Sequence, residues 1–361
     1  MTDKPAKFYI PSLDGIRAVA FLIVFLSHAG FGKYVPGGFG VTIFFFLSGY
    51  LITTMLRREH ERSNKIDFKK FYMRRVLRIW PPFYLVLILA VVVSWLVGTY
   101  SESQNSGHYL LAFVTQFFHY SNYYNIEYGN QFMALGTEVY WSLAVEEHFY
   151  LLFPLLYVLL RKLDVGGSKQ ATVFWSICLL VLLWRCVLVF TMGADYDRIF
   201  FATDTRLDSI MFGCALAVSG NPALDQDQQM ISDRNLKYLL PVGLALLLVS
   251  MVIRDSAFRD TLRYTMQGIA LYPVFIAAIR FPNWIVFKPL NWGWVRFLGV
   301  LSYSLYLVHF MVIRALGTVM PELGLIATSI LSLLISLAIS YGIYRFAEVP
   351  AAKLKKRFSS H

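Results

Sequence analysis

The stretch Ser12-Leu13-Asp14-Gly15-Ile16-Arg17-Ala18-Val19-Ala20-Phe21-Leu22-Ile23-Val24-Phe25-Leu26-Ser27-His28 approaches the length of a membrane span, yet it holds an arginine and a histidine. An ionisable side chain inside a membrane-spanning helix is costly and must face protein or water. Eleven helical steps from Arg17 to His28 make three turns and roughly 20° more, so both side chains are expected on one face, about 16 Å apart along the axis. The stretch therefore predicts a transmembrane helix with a polar stripe.

The composition extends this prediction to many helices. Of the 361 residues, 57% are hydrophobic and 15% are charged, and the mean hydropathy is +0.55. Apolar runs near twenty residues recur, which is typical of polytopic α-helical membrane proteins. We expect an all-α transmembrane helical bundle of about ten spans. It would form a single membrane-embedded domain, 1–361, with its core at 10–350 and no fused soluble domain. The expected spans are 12–32, 37–57, 76–98, 137–160, 171–192, 204–219, 238–253, 262–280, 296–318 and 323–346.

The basic residues are distributed unevenly between the two sides of the membrane. The formal net charge is +11, and most Lys and Arg residues outside the spans lie on the side that holds both termini. This asymmetry predicts that the termini are cytoplasmic. It also favours contact with membrane lipids over a nucleic-acid partner. The basic residues on the opposite, outer side are Lys33, Arg198, Arg206, Arg254, Arg259 and Arg263.

The cysteines and the familiar nucleophile motifs offer no site. Cys178, Cys186 and Cys214 lie in apolar segments without the spacing of metal ligands, so we expect packing roles and neither a disulfide framework nor a metal. There is no glycine-rich phosphate loop and no Gly-x-Ser-x-Gly motif. Ser48 and Gly49 are interpreted as small residues that allow close helix contact.

An arginine cluster follows the second expected span. Arg75 and Arg78 are three residues apart, with Arg74 adjacent. Residues at this spacing share a helix face, and paired guanidinium groups suit phosphate. Contact with lipid headgroups is the alternative. Pro81 and Pro82 follow directly and predict the start of a helix.

A polar stripe marks the fourth expected span. Glu138, Ser142, Glu146 and Tyr150 recur every four residues on an otherwise apolar helix. Glu146 lies well inside the span, where a carboxylate needs a proton or a cation, and Arg17 or His28 would supply that partner. An interhelical hydrogen-bond cluster that only stabilises the bundle is the alternative.

Other candidates are weaker. The connection 99–136 has no Lys or Arg and is rich in Tyr, Phe and Asn, so it predicts either an aromatic belt at the headgroups or a platform for a ring-shaped acceptor. We expect a short interfacial helix in it, near 108–118. Polar residues in the later spans are each also compatible with packing and interhelical hydrogen bonds. They are Arg206, Asp208, Ser302, Tyr303, Tyr306, His309 and Glu348.

Taken together and in this order, these residues resemble the acyltransferase 3 family of integral membrane O-acyltransferases, from about Ile10 to Pro350. The chain departs from the family's pattern in two respects. Val139 and Tyr140 stand where some members have a histidine, and His148 replaces a common glutamine. The stretches that carry the resemblance are Ser12–Ala18 with His28, Phe44–Thr53, Arg75–Pro81, Trp141–Tyr150, Arg206–Asp208 with Gly213, Leu301–His309 and Glu348–Pro350.

The resemblance implies a multi-pass protein of the bacterial cytoplasmic membrane. It would take an acyl group, often acetyl, from acyl-coenzyme A and place it on a hydroxyl of a sugar, a lipid-linked glycan or a similar acceptor. The family's first-helix pair would be Arg17 and His28. Its Arg-x-x-Arg motif would be Arg75 and Arg78, and its two glutamates would be Glu146 and Glu348.

These observations give a hypothesis for the chemistry. His28 would act as general base on the acceptor hydroxyl or as an acyl carrier. Arg17 or a neighbouring donor would stabilise the oxyanion, and Glu146 would orient His28 or hold the acceptor. A transporter or flippase for a polar solute, with Arg17, His28 and Glu146 as a relay, is the alternative. Arg74, Arg75 and Arg78 would bind the phosphates of coenzyme A. Supporting roles are expected for Asp14, Ser142, Arg206, Asp208, Tyr303, His309 and Glu348.

Overall fold

The computed structural model describes residues 9–99, 106–227, 229 and 231–355. Within these residues the chain forms helices joined by turns and loops, without a β-strand. The predicted all-α architecture is therefore confirmed. The helices are α1 Pro11–Leu26, α2 Gly37–Ser63, α3 Phe68–Leu96, α4 Ser106–Phe117, α5 Ser121–Tyr128, α6 Trp141–Lys162, α7 Gly167–Phe190, α8 Tyr196–Phe201, α9 Thr203–Val218, α10 Asp233–Val252, α11 Ser256–Asp260, α12 Leu262–Arg280, α13 Gly293–Val319, α14 Leu325–Ile343 and α15 Val349–Lys355.

In the described part of the chain, nine helical segments are long and apolar enough to cross a membrane. The protein is thus a multi-pass membrane protein, and these segments coincide with nine of the ten expected spans. The tenth, expected at 204–219, is α9, which has 16 residues and extends about 24 Å. α9 is buried at nearly every position after its first turn, so its length does not have to match the thickness of the lipid.

The prediction that a helix starts at Pro81 and Pro82 is wrong. α3 begins at Phe68, because the side chain of Asp67 caps it by accepting a 2.9 Å hydrogen bond from the backbone N–H of Lys70. Both prolines lie inside α3, and transmembrane helices tolerate interior prolines where neighbouring groups satisfy the freed carbonyls. The arginine cluster is consequently helical, as its three-residue spacing requires.

α1 loses regular α-helical geometry where His28 lies. The α-helix ends at Leu26, and Ser27–Phe31 form a π-helical turn. Gly30 within the turn has a φ of 100°, a conformation that glycine adopts without the steric penalty of a Cβ atom. Such turns are frequent at functional sites because they redirect a side chain.

α2 and α9 cross at glycines. A Cβ atom at Gly49 would lie 2.0 Å from the backbone oxygen of Ile210, and one at Gly213 would lie 1.9 Å from that of Phe46. Neither position can hold a larger residue unless the backbones separate. The prediction of close helix contact is confirmed for Gly49.

A buried ion pair holds α7 against α9. Arg185 and Asp208 are 2.6 Å apart, and both side chains are fully buried. Arg185 also donates to the backbone oxygens of Thr205, at 2.6 Å, and Thr261, at 3.1 Å. Removing one member would leave a charge buried without its partner, so this network stabilises one arrangement of the bundle.

The connection between α3 and α6 contains two short helices. α4, Ser106–Phe117, matches the interfacial helix expected near 108–118, and α5 follows it. Residues 100–105 of the connection lie outside the described residues. The described part lines neither of the two cavities presented below, so the suggested acceptor platform has no support from a cavity there.

Candidate active site

Two cavities within the bundle collect most of the predicted site residues. The first has a volume of about 340 Å³ and is called the His28 cavity. His28 enters it from the π-helical turn, and Trp141, Phe200 and Tyr264 form aromatic walls. A concave site with aromatic walls and a few polar groups is the usual form of a substrate pocket.

His28 is hydrogen-bonded to a second histidine. Its Nδ1 lies 2.9 Å from Nε2 of His309, which is buried. Nδ1 of His309 lies 2.8 Å from the backbone oxygen of Tyr306, and a carbonyl oxygen can only accept. Neutral His309 therefore carries its proton on Nδ1, and its Nε2 accepts from Nδ1 of His28. It follows that neutral His28 has its lone pair on Nε2, the form that a general base requires.

Aromatic rings fix the histidine pair in place. The ring of Phe310 is 4.5 Å from that of His28, centre to centre, and the ring of Phe21 meets His309 edge-on at 5.7 Å. These rings exclude water from one side of the pair, which strengthens the hydrogen bond between the imidazoles.

The second cavity, called the Arg17 cavity, has a volume of about 200 Å³. Arg17 from α1, Arg75 and Arg78 from α3, and Glu146 and Glu147 from α6 all line it. The cavity therefore gathers three guanidinium groups and two carboxylates from segments that are far apart in the sequence. This arrangement is the polar site expected inside the membrane domain.

The arginines of this cavity are incompletely paired. Arg17 binds Asp14 at 2.6 Å. Arg75 donates to the sulfur of Met55 at 3.3 Å, and its buried Nε has no hydrogen-bond partner among the described residues. Arg78 is exposed. A buried guanidinium without an acceptor is costly, so the cavity is suited to an anionic ligand.

Glu146 is held by its own helix. The hydroxyl of Tyr150 donates to Glu146 at 2.5 Å and lies 3.1 Å from the hydroxyl of Ser48. Glu146 and Tyr150 are one turn apart, so the predicted polar stripe provides this contact. The buried Oε1 of neighbouring Glu147 has no partner among the described residues.

The two cavities share a wall. Val41 and Tyr306 line both. The hydroxyl of Tyr306 lies 2.6 Å from that of Ser142 and 3.1 Å from the backbone oxygen of Val139. Two hydrogen bonds therefore hold Tyr306 between the space at His28 and the space at Arg17.

Two expected contacts are corrected by this geometry. Glu146 does not orient His28: its partner is Tyr150, whereas His28 binds His309. Arg17 and His28 line different cavities, because the π-helical turn redirects His28 and the two residues start about 16 Å apart along the helix. The two residues therefore do not line one continuous polar track, as the eleven-residue spacing predicted.

The remaining predicted residues have mainly structural contacts. Arg74 pairs with Glu59 at 2.6 Å and does not line the Arg17 cavity. Asp208 pairs with Arg185 rather than with Arg206. Ser142 and Tyr303 do line the Arg17 cavity, and the hydroxyl of Tyr303 donates to the backbone oxygen of Ile79 at 3.0 Å. Glu348 accepts from Ser304 at 2.5 Å in a second π-helical turn, Tyr344–Glu348.

Several lining residues did not emerge from the sequence motifs. Glu147 lies in the Arg17 cavity, and four basic residues of the predicted outer side lie in the His28 cavity. The sequence did hold a signal for these four basic residues, because Lys and Arg are disfavoured on the outer side and few occur there. Among the described residues, no group of three His, Cys, Asp or Glu could hold a metal ion.

The comparisons with known proteins agree on one family. Residues 10–345 match the acyltransferase 3 family, an acyltransferase domain. Over 96% of its length the chain is 31% identical to a protein of Staphylococcus aureus strain COL that is provisionally named an O-acetyltransferase. It is 30% identical, also over 96%, to O-acetyltransferase OatA of Staphylococcus aureus strain NCTC 8325. The chain covers only 58% and 57% of those two proteins. No solved structure matches the chain significantly.

Proposed function

Because the chain belongs to the acyltransferase 3 family, we propose that it is a membrane O-acetyltransferase. It moves an acetyl group from acetyl-coenzyme A to a hydroxyl of a sugar or lipid-linked glycan at a bacterial cytoplasmic membrane. The observation that carries the proposal is the pair of cavities. One presents an imidazole with a free Nε2, the other presents incompletely paired guanidinium groups, and Tyr306 lies between them.

The Arg17 cavity takes the donor. Arg75 and Arg78 are close to the turn between α2 and α3, which the charge distribution predicts to be cytoplasmic, where coenzyme A is available. Guanidinium groups bind phosphate through two parallel hydrogen bonds, so these two arginines hold the phosphates. Arg17, with Asp14 as its partner, contributes a third positive charge along the path of the thioester.

The His28 cavity takes the acceptor. Nε2 of His28 removes the proton of the acceptor hydroxyl while that oxygen attacks the thioester carbon. The carbon–sulfur bond breaks, and the proton passes from His28 to the departing thiolate. His309 keeps Nδ1 of His28 protonated throughout and accepts a hydrogen bond from the imidazolium that forms. A positioned base of this kind contributes about 10²–10⁴-fold to the rate.

The shared wall assigns a role to Tyr306 and Ser142. For the thioester carbon to reach His28, Tyr306 must move aside or donate its hydroxyl to the carbonyl oxygen. The hydrogen bonds of Tyr306 to Ser142 and to the backbone oxygen of Val139 hold the hydroxyl groups of Tyr306 and Ser142 at the shared wall. These hydroxyls, rather than Arg17, are the donors that we assign to the oxyanion.

Direct transfer and a two-step route through acetyl-His28 differ in one observable. In the two-step route, coenzyme A is released as the thiol before the acceptor binds. Purified protein with acetyl-coenzyme A and labelled coenzyme A, but without acceptor, would then exchange label between the two. Direct transfer predicts no exchange.

The experiment that tests the proposed function uses purified full-length chain, [¹⁴C]acetyl-coenzyme A and an extract of bacterial surface glycans. The expected result is label in the glycan that mild alkali releases, as an O-acetyl ester requires. Arg75→Gln with Arg78→Gln should weaken donor binding in the same preparation. A transporter with Arg17, His28 and Glu146 as a relay predicts glycan or solute movement without ester formation.

A further inference from the structure

The His28 cavity concentrates positive charge. Lys33, Arg254, Arg259 and Arg263 all line it, whereas no Asp or Glu is among its described lining residues. Lys33 and Arg254 are exposed, and Arg259 and Arg263 are half-buried. The charges therefore continue from the surface into the cavity that holds the imidazole.

These charges are not neutralised by salt bridges. None of the four forms an ion pair within 4.0 Å in the described part of the chain. Among the basic residues predicted on the outer side, Arg198 is different, since it binds Asp204 at 2.5 Å and does not line the cavity. The four cavity residues thus retain their charge for a ligand.

Asp195, Asp255 and Asp260 are each adjacent in sequence to a residue that lines the His28 cavity. Asp195 and Asp255 cap helices by accepting hydrogen bonds from backbone N–H groups, at 2.8 and 2.7 Å. Asp260 is close enough to Arg263 and Arg259 to be stabilised by them, although burial is the larger effect and raises its pKa. None of these carboxylates lines the cavity.

A fifth positive charge lies behind the cavity wall. Arg206 is fully buried, and its guanidinium carbon lies 4.1 Å from the ring centre of Tyr264, 5.3 Å from that of Phe200 and 5.6 Å from that of Trp141. All three rings line the His28 cavity. Its buried Nε has no hydrogen-bond partner among the described residues. Its field therefore adds to that of the four lining residues.

Membrane topology makes this arrangement informative. Lys and Arg are disfavoured on the outer side, yet four of those predicted there converge on one cavity. We propose that the acceptor carries a negative charge, a carboxylate or a phosphate, near the hydroxyl that is acetylated. This inference rests on the proposed function. Arg259 and Arg263 bind the anionic group beside His28, and Lys33 and Arg254 attract the acceptor to the entrance.

The charge of the product tests this directly. The [¹⁴C]acetyl product formed by the full-length chain from a total extract of surface glycans is applied to an anion exchanger at pH 7. The proposal predicts that alkali-labile label is retained. Washing at pH 2 distinguishes the two anions, because a carboxylate of pKa about 3.5 is then neutral, whereas phosphate keeps a charge. Label that flows through at pH 7 would overturn the proposal.

Two variants show whether the cavity cations recognise that charge. Arg259→Gln and Arg263→Gln should each raise the KM for the retained acceptor by about 10- to 100-fold, the size expected for losing a hydrogen bond to a charged group. The KM for acetyl-coenzyme A should not change. Arg314→Gln is the matched control, because Arg314 is an exposed arginine on α13 outside both cavities, with only a 3.8 Å ion pair to Glu138.

Salt provides an independent measurement. Raising the ionic strength should raise the KM for the acceptor in the wild-type protein. The increase should be much smaller when Arg259→Gln and Arg263→Gln are combined in one protein, because screening weakens only charges that interact. If Arg259→Gln and Arg263→Gln behave like Arg314→Gln, the cations serve lipid headgroups and the proposal is wrong. If no glycan is labelled at all although acetyl-coenzyme A binds, the proposed function fails instead.

Discussion

Nδ1 of His28 lies 2.9 Å from Nε2 of His309, a residue 281 positions later in the chain. The contact joins the π-helical turn after α1 to the middle of α13. Because His309 is anchored on the backbone oxygen of Tyr306, the pair has one neutral tautomeric arrangement. The free Nε2 of His28 is a consequence of the fold and does not depend on a carboxylate.

The first prediction concerns His309 as a positioning residue. His309→Leu removes the hydrogen-bond acceptor for Nδ1 of His28, so kcat should fall by about tenfold or more. The fall should not exceed the 10²–10⁴-fold that a general base supplies. His309→Gln can accept through its side-chain oxygen and should restore part of the loss. The ¹⁵N chemical shifts of His28 should report a changed tautomer in the leucine variant. Wild-type activity in both variants would show that His309 only fills space.

The second prediction concerns donor binding. Arg75→Gln with Arg78→Gln should raise the KM for acetyl-coenzyme A by about 10- to 100-fold per lost charged hydrogen bond, while the KM for the acceptor stays constant. Titration of the purified protein with acetyl-coenzyme A gives the same comparison without turnover. Lys69→Gln, an exposed residue of the same helix, is the control for charge alone. A donor KM that changes equally in the control contradicts the assignment.

The third prediction concerns the buried ion pair. Arg185→Leu leaves Asp208 buried and unpaired, so it should destabilise the fold by about 3–5 kcal/mol. Replacing both residues with apolar side chains should cost less than this single change. Thermal unfolding in detergent measures both. Arg198→Gln breaks the more exposed pair with Asp204 and should cost about 0–1 kcal/mol; a similar loss there would contradict the stated role of burial.

The fourth prediction concerns the crossing of α2 and α9. Gly49→Ala and Gly213→Ala place a Cβ atom on a backbone oxygen of the facing helix, and overpacking of this kind costs about 1–3 kcal/mol. Gly317→Ala lies in α13 with no atom within 4 Å of the added carbon. Gly317→Ala should therefore leave the unfolding temperature unchanged or raise it. Equal effects at all three positions would mean that the helices are not in close contact.

Hydrophobic periodicity predicted the helices of this fold well, because each span must satisfy its own backbone hydrogen bonds within about twenty residues. The positional preference of proline was misleading at Pro81 and Pro82, because the cap at Asp67 starts the helix at Phe68 and both prolines lie inside it. Periodicity also placed α9 to within one residue, at 204–219 against the observed Thr203–Val218.

Candidate site residues were predictable only where an ionisable residue stands in an apolar segment. His28, Arg17 and Glu146 stand out for that reason, but their partners do not. The pairing of His28 with His309 depends on a π-helical turn that no periodic pattern encodes. The role proposed for Arg259 and Arg263 depends on tertiary convergence, which brings residues of α11 and α12 into one cavity with Lys33 and Arg254.

We propose that Nε2 of His28 is the base that activates the acceptor. The most direct measurement of this role is acetyl transfer from [¹⁴C]acetyl-coenzyme A to surface glycan by purified His28→Ala, compared with wild type at equal acetyl-coenzyme A binding. The kcat should fall by at least about 10²-fold with donor affinity retained. A folded His28→Ala protein that binds the donor and transfers acetyl at the wild-type rate would contradict this role.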